Sequence, residues 1–170
     1  RDRFDQYSNF ARIGEGSLGG KGRGLAFIDA MIKRNEVLEQ FENAQIAIPK
    51  TVVLCTDIFA EFMEANNLYP IALSESTDEE ILRAFLKAQL PKQLIADLHA
   101  FVGVIGKPIA VRSSSLLEDS HYQPFAGIYS TYMIPNIKFN DRVMIDKLSE
   151  AIKSVYASAY FKDSKSYMAA

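Results

Sequence analysis

The sequence predicts an α/β fold of the α+β kind, in which a small mixed sheet is packed by helices. Runs with apolar residues at helical spacing, such as Ile81, Leu82, Phe85 and Leu86, alternate with short β-branched stretches such as residues 46–55. Six of the nine glycines crowd into residues 14–24, GEGSLGGKGRG, which marks a loop leading into the first helix. At 170 residues, 48% of them apolar, the chain has the size and composition of one domain or one large lobe.

Residues 1–12 mix polar and aromatic types without a period and read as an irregular lead-in. After the glycine loop, Leu25, Ile28, Met31 and Ile32 mark a helix to about residue 34, with Lys33 and Arg34 suited to its C-terminal end. Residues 35–45 form a partly helical connection. Residues 46–55, IAIPKTVVLC, read as a strand in which Pro49 marks an edge or a break. Thr56 is the expected N-cap of a helix to about residue 66, and residues 68–75 read as loop. Thr77 with Glu80 makes a capping box for the next helix. Pro91 ends that helix and serves as first-turn proline of another, lined by Leu94, Ile95, Leu98, Phe101 and Val102 and punctuated by Gly103 and Gly106. Residues 108–111 read as a short buried strand that delivers Arg112, and residues 113–120, SSSLLEDS, as a loop. Residues 127–134 form a strand closed by Pro135 and Asn136, and Met144, Leu148, Ile152 and Val155 mark a last helix over 141–161.

Composition narrows the function. A net charge of −2 provides no global basic field, so nucleic acid is not an expected partner. No run of about 18 apolar residues exists, so no membrane span is expected. The single cysteine, Cys55, lies in an apolar run and reads as a buried, reduced core residue of a cytoplasmic protein. His99 and His121 make no metal pattern with it.

Two constellations carry chemistry. Backbone N–H groups of a glycine-rich turn can form a concave anion site, and a helix N-terminus favours anions. Lys21 and Arg23 carry the wrong charge for that helix end, and a bound phosphate would resolve the conflict. The alternative is a surface turn with two solvated cations. Known templates fit poorly. A Walker A loop fails at Glu15 and Gly22, and the GxGxxG at Gly14, Gly16 and Gly19 stands too near the chain start for a dinucleotide fold. A protein-kinase loop would need VAIK-, HRD- and DFG-like elements, which are missing. The second constellation is Arg112, carried by a strand into a serine-rich loop, where a planar guanidinium and hydroxyls suit a phosphate. A structural arginine paired with Glu118 or Asp119 is the alternative. Ser113 to Ser115 show no Ser–His–Asp arrangement, so no nucleophilic serine is expected.

Together the constellations resemble one family. GGKGRGLAFI, from Gly19, resembles the GGK loop and helix of the phosphoenolpyruvate synthase and pyruvate phosphate dikinase family. IAVRSSSLLEDSHYQPFAGIYSTYMIPN, from Ile109, resembles that family's VRSSA-x-x-ED and FAG-x-x-x-T segment. VVLCTDIFAEFMEANNL and DKLSEAIKSVYASAYFKDSKSYM are similar to the strand and helices around them. The resemblance implies that residues 1–170 are the N-terminal portion of an ATP-grasp nucleotide-binding domain, ahead of a second lobe. It implies ATP as ligand, with Mg2+ held by residues outside these 170, and no catalytic or metal-ligating residue within them. The phosphoryl group would pass to a histidine on a swivelling domain and then to pyruvate on a further domain of the parent chain. Lys21 and Arg112 would contact the ATP phosphates, with Gly127 and Thr131 lining the same site beside Gly19 and Gly20. Two departures, Ser115 for alanine and Ile128 for the glutamine of FAGQ, leave the acceptor open. A dikinase-type enzyme with another acceptor and a non-catalytic nucleotide-sensing module are the rivals.

Overall fold

The structure is a computed structural model that describes residues 8–35, 43–44, 46–115, 129–136 and 140–168, the side chains of 167 and 168 excepted. In chain order the elements are β1 (Phe10–Ile13), α1 (Gly19–Arg34), β2 (Thr51–Leu54), α2 (Thr56–Ala65), α3 (Tyr69–Ala72) and α4 (Asp78–Lys87), followed by α5 (Lys92–Ile105), β3 (Ile109–Val111), β4 (Tyr132–Ile134), α6 (Asp141–Ser158) and α7 (Lys162–Met168). The α/β class therefore stands. The strands fall into two two-stranded sheets among the described residues rather than one. β1 and β2 pair in parallel, from Phe10 against Thr51 to Ile13 against Leu54. Parallel neighbours need a crossover, and α1 supplies it. β3 and β4 pair antiparallel, from Ile109 against Ile134 to Val111 against Tyr132.

Several boundaries differ from the expected ones, each for a local reason. β1 lies in the stretch read as irregular, because its only support is the distant partner β2. The strand expected from residue 46 begins at Thr51. Pro49 has no N–H for a ladder, and its carbonyl accepts from the Thr51 hydroxyl at 2.8 Å instead. One helical turn, α3, with Pro70 in its first turn, occupies the expected loop at 68–75. Pro91 is the N-cap residue of α5, one place before the helix, and the helix runs through Gly103 to end at Gly106. The helix expected over 141–161 breaks after Ser158, whose hydroxyl donates to Val155 O at 2.7 Å and whose carbonyl accepts from Ser164 at 2.7 Å. The connection at 36–42, the acidic pair Glu118 and Asp119, His121, Gly127 and Ile128 lie outside the described residues.

The core sits among α2, α4, α5 and α6. Phe62, Phe85, Ile81 and Met63 have no measurable exposure. Their burial follows the sequence: Ile81 and Phe85 are four apart on α4, and Leu94, Leu98 and Phe101 recur at three and four on α5. An aromatic cluster ties α2 to α6, with Phe59 edge-on to Tyr156 at 4.9 Å and Phe62 at 5.5 Å from the same ring. Burial raises the Tyr156 phenol well above its ordinary value, so it stays neutral, and its hydroxyl finds no hydrogen-bond partner among the described residues. Among the described residues no helix is long and apolar enough to cross a membrane.

Candidate functional site

The glycine loop expected over residues 14–24 ends six residues earlier, at Leu18. Leu18 occupies the N-cap position and α1 starts at Gly19, so Gly19, Gly20, Lys21 and Gly22 form the helix's first turn. Leu18 has no side chain able to accept from the helix amides, and no acidic residue stands in that turn. The missing cap comes from 92 positions away. The Ser114 hydroxyl accepts from Gly22 N at 2.9 Å and donates to Leu18 O at 2.7 Å. The Ser114 carbonyl accepts from Gly20 N at 2.9 Å. Only glycine permits this approach: Gly19 has φ 74°, and a Cβ there would overlap the Ser114 carbonyl oxygen. Gly22 is buried against β2, where a Cβ would stand 3.2 Å from both methyls of Val53.

The sequence places the loop amides toward a phosphate, and the structure uses most of them internally. Glu15 N and Gly16 N donate to the two carboxylate oxygens of Asp57 at 2.8 and 2.9 Å. Ser17 N donates to Thr56 Oγ1 at 3.0 Å. Gly19 N donates to the Ser17 hydroxyl at 3.3 Å. Thr56 is thus not the cap of its own helix: Cys55 holds the N-cap position of α2, and the Thr56 hydroxyl binds the loop. Backbone bonds hold the Asp57 carboxyl below its ordinary value, that from Glu15 most strongly and those from Gly16, Asp57 and Ile58 after it, so it is ionised at neutral pH. Cys55 is fully buried as expected, and burial raises its thiol, which disfavours the reactive thiolate.

The loop and the strand end also carry three cationic side chains. Arg23 turns back on its own helix, with Nε 3.3 Å from Gly19 O. Lys21 is half-buried between Gly20 and Gly22, the two residues bonded to Ser114. Arg112 is exposed just beyond β3, two residues before Ser114. The β3–β4 register continued by one pair sets Arg112 across from Thr131, which is also exposed. Alternation along the two strands gives that pair the side of the sheet that carries exposed Ala110 and Met133. The structure therefore brings together the segments bearing Gly19, Gly20, Lys21, Arg112 and Thr131, while Gly127 lies outside the described residues. Among the described residues there is no group of three or more His, Cys, Asp or Glu placed to hold a metal ion. Ser114 and Asp57 are the members that sequence reasoning missed. Ser114 figures in the sequence only as one of a serine run, and nothing local marks Asp57.

The chain matches the family model described as pyruvate phosphate dikinase, AMP/ATP-binding domain, over residues 15–170. No curated protein and no solved structure matches it.

Proposed function

The chain belongs to the pyruvate phosphate dikinase AMP/ATP-binding domain family, and we propose that it is the first part of an ATP-grasp domain in a phosphoenolpyruvate synthase-like dikinase. The parent enzyme converts ATP, pyruvate and water to AMP, phosphoenolpyruvate and phosphate, by way of a phosphohistidine on another domain. Lys21 and Arg112 hold the ATP phosphates, and Gly19, Gly20, Gly127 and Thr131 line the same site. Mg2+ is held by residues outside these 170, and the enzyme works in the cytoplasm.

The observation that carries this reading is the Ser114 junction. Three hydrogen bonds of 2.7 to 2.9 Å fix the backbone after Arg112 against the helix turn that holds Lys21. An ammonium and a guanidinium fixed on neighbouring backbone suit a polyphosphate. Phosphoryl transfer depends on positioned positive charge more than on covalent chemistry.

The test is ATP affinity of the parent enzyme, measured with melting temperature, for Lys21→Ala, Arg112→Ala and Arg112→Lys. Each alanine variant should lose about 1.5–3 kcal/mol of binding, the range for a charge-assisted contact, with little change in melting temperature. Arg112→Lys should also weaken binding, because one ammonium cannot reproduce a bidentate guanidinium contact. Unchanged affinity in all three would remove the phosphate site from these residues. In the same preparation, ATP with pyruvate should yield phosphoenolpyruvate and AMP. AMP formation that does not depend on pyruvate would assign the enzyme another acceptor.

A further inference from the structure

We propose that Asp57 is a positioning residue for the nucleotide's phosphates: its carboxylate locks the turn at Glu15 and Gly16, and thereby sets where α1 presents Lys21. The inference rests on the reading of Lys21 and Arg112 as a phosphate site. Asp57 itself touches no ligand; it acts through the loop.

Three observations carry it. The first is the bond pattern. Both carboxylate oxygens of Asp57 accept from consecutive amides, Glu15 N at 2.8 Å and Gly16 N at 2.9 Å, across 42 and 41 positions of sequence. Consecutive N–H groups in a turn make an anion site, and here a carboxylate of the chain itself fills it. The second is what flanks the contact. Thr56 continues it from the same helix end, with Ser17 N on its hydroxyl at 3.0 Å and Thr56 N on Ser17 O at 3.1 Å. Cys55 N donates to Ile13 O at 2.9 Å, so the start of α2 is fixed to the end of β1. The loop between Ile13 and Gly19 is thus held at its root by the strands, in its middle by Thr56 and Asp57, and at its end by Ser114. The third is the close fit: a Cβ on Gly16 would stand 2.6 Å from Thr56 Oγ1 and 2.8 Å from Asp57 N.

The consequence follows from charge and order. An ionised Asp57 satisfies the loop amides before any nucleotide arrives, so the phosphate neither has to organise the loop nor can use those amides. Binding then costs less ordering of the chain, which is the benefit of preorganisation. The depressed carboxyl of Asp57 agrees with a filled anion site.

The test compares ATP with adenosine on the parent enzyme for wild type, Asp57→Ala and Asp57→Asn, by titration calorimetry with melting temperatures alongside. Asp57→Ala should weaken ATP binding about tenfold or more, the scale of lost hydrogen bonds to a charged group, and leave adenosine binding within about twofold. Asp57→Asn keeps one acceptor oxygen for the two amides and should fall between. Equal losses for ATP and adenosine with a lower melting temperature would make Asp57 a merely structural residue and overturn the proposal. Unchanged ATP affinity in Asp57→Ala would overturn it as well. Should the alanine variant not fold, the asparagine variant decides by the same ATP-to-adenosine comparison. Wild type that binds ATP no better than adenosine would instead overturn the phosphate site itself, before any variant is compared.

Discussion

Gly19 shows how much one residue can hold. Its φ of 74° belongs to the left-handed region, and the space where a side chain would go contains the Ser114 carbonyl. Gly19→Ala must therefore move Ser114 or unwind the first turn of α1, and it should destabilise by more than about 1 kcal/mol. Gly24 is the control, five residues along the same helix, where a Cβ would meet nothing within 4 Å. Gly24→Ala should stabilise by about 0.5–1 kcal/mol, because alanine restricts the unfolded chain and is the better helix former. Urea unfolding of both variants checks the pair, and a Gly19→Ala protein as stable as wild type would contradict the Ser114 junction. The glycine loop around Lys21 and the strand before Arg112 single these two out as candidates in the sequence, since few other side chains suit a phosphate. Ser114 and Asp57 were not legible as site members. Their roles come from partners 92 and about 40 positions away, and no local period records such a pairing.

Elements were legible where their signal is local. The capping box is the clearest case: Thr77 Oγ1 accepts from Glu80 N at 3.3 Å, and Glu80 accepts from Thr77 N at 2.9 Å, as the three-residue spacing predicts. β1 and α3 escaped because one depends on a strand about 40 residues away and the other is a single turn. The register of β3 with β4 likewise lies in pairing, not in composition. The capping box also has a pH signature. The Thr77 backbone bond, then the Thr77 hydroxyl, holds the Glu80 carboxyl below its ordinary 4.5. A depressed carboxyl contributes stability above its unfolded value and loses it as the pH falls through the folded value. Thr77→Ala should cost about 1 kcal/mol at pH 7, typical of an N-cap. The difference from wild type should shrink as the pH drops below 4.5. Thermal melts of both proteins across pH 7 to 3 measure it, and a gap that stays constant into acid would show that the Thr77 hydroxyl does not help to hold Glu80 ionised.

For the whole chain, the uneven distribution of the core predicts an order of opening. Phe62, Phe85, Ile81 and Leu94 are sealed between α2, α4, α5 and α6, and Leu148, Ala151 and Ile152 close the cluster from α6. α1 is different. Its first turn is bonded to Ser114 and packed on β2, but its later half leaves Phe27 66% exposed, Ile28 48% and Met31 40%. Among the described residues each sheet has two strands, and such pairs are marginal without helices packed on them. Local stability follows buried apolar contact, so the site-bearing part should open below the global limit while the helical core opens only with the whole chain. Hydrogen exchange of the 170 residues should then show three rates. Amides of α4 and α6 exchange slowest, those of α1 beyond Gly24 fastest among the long helices, and the first turn of α1 falls between because Ser114 holds it. ATP should slow exchange at residues 19–22 and 109–115 and leave α4 unchanged, since a ligand protects the segments it bridges. Protection of α1 equal to that of α6 without ligand would show that the molecule opens as one unit. It would also mean that the exposed apolar face of α1 is covered in solution.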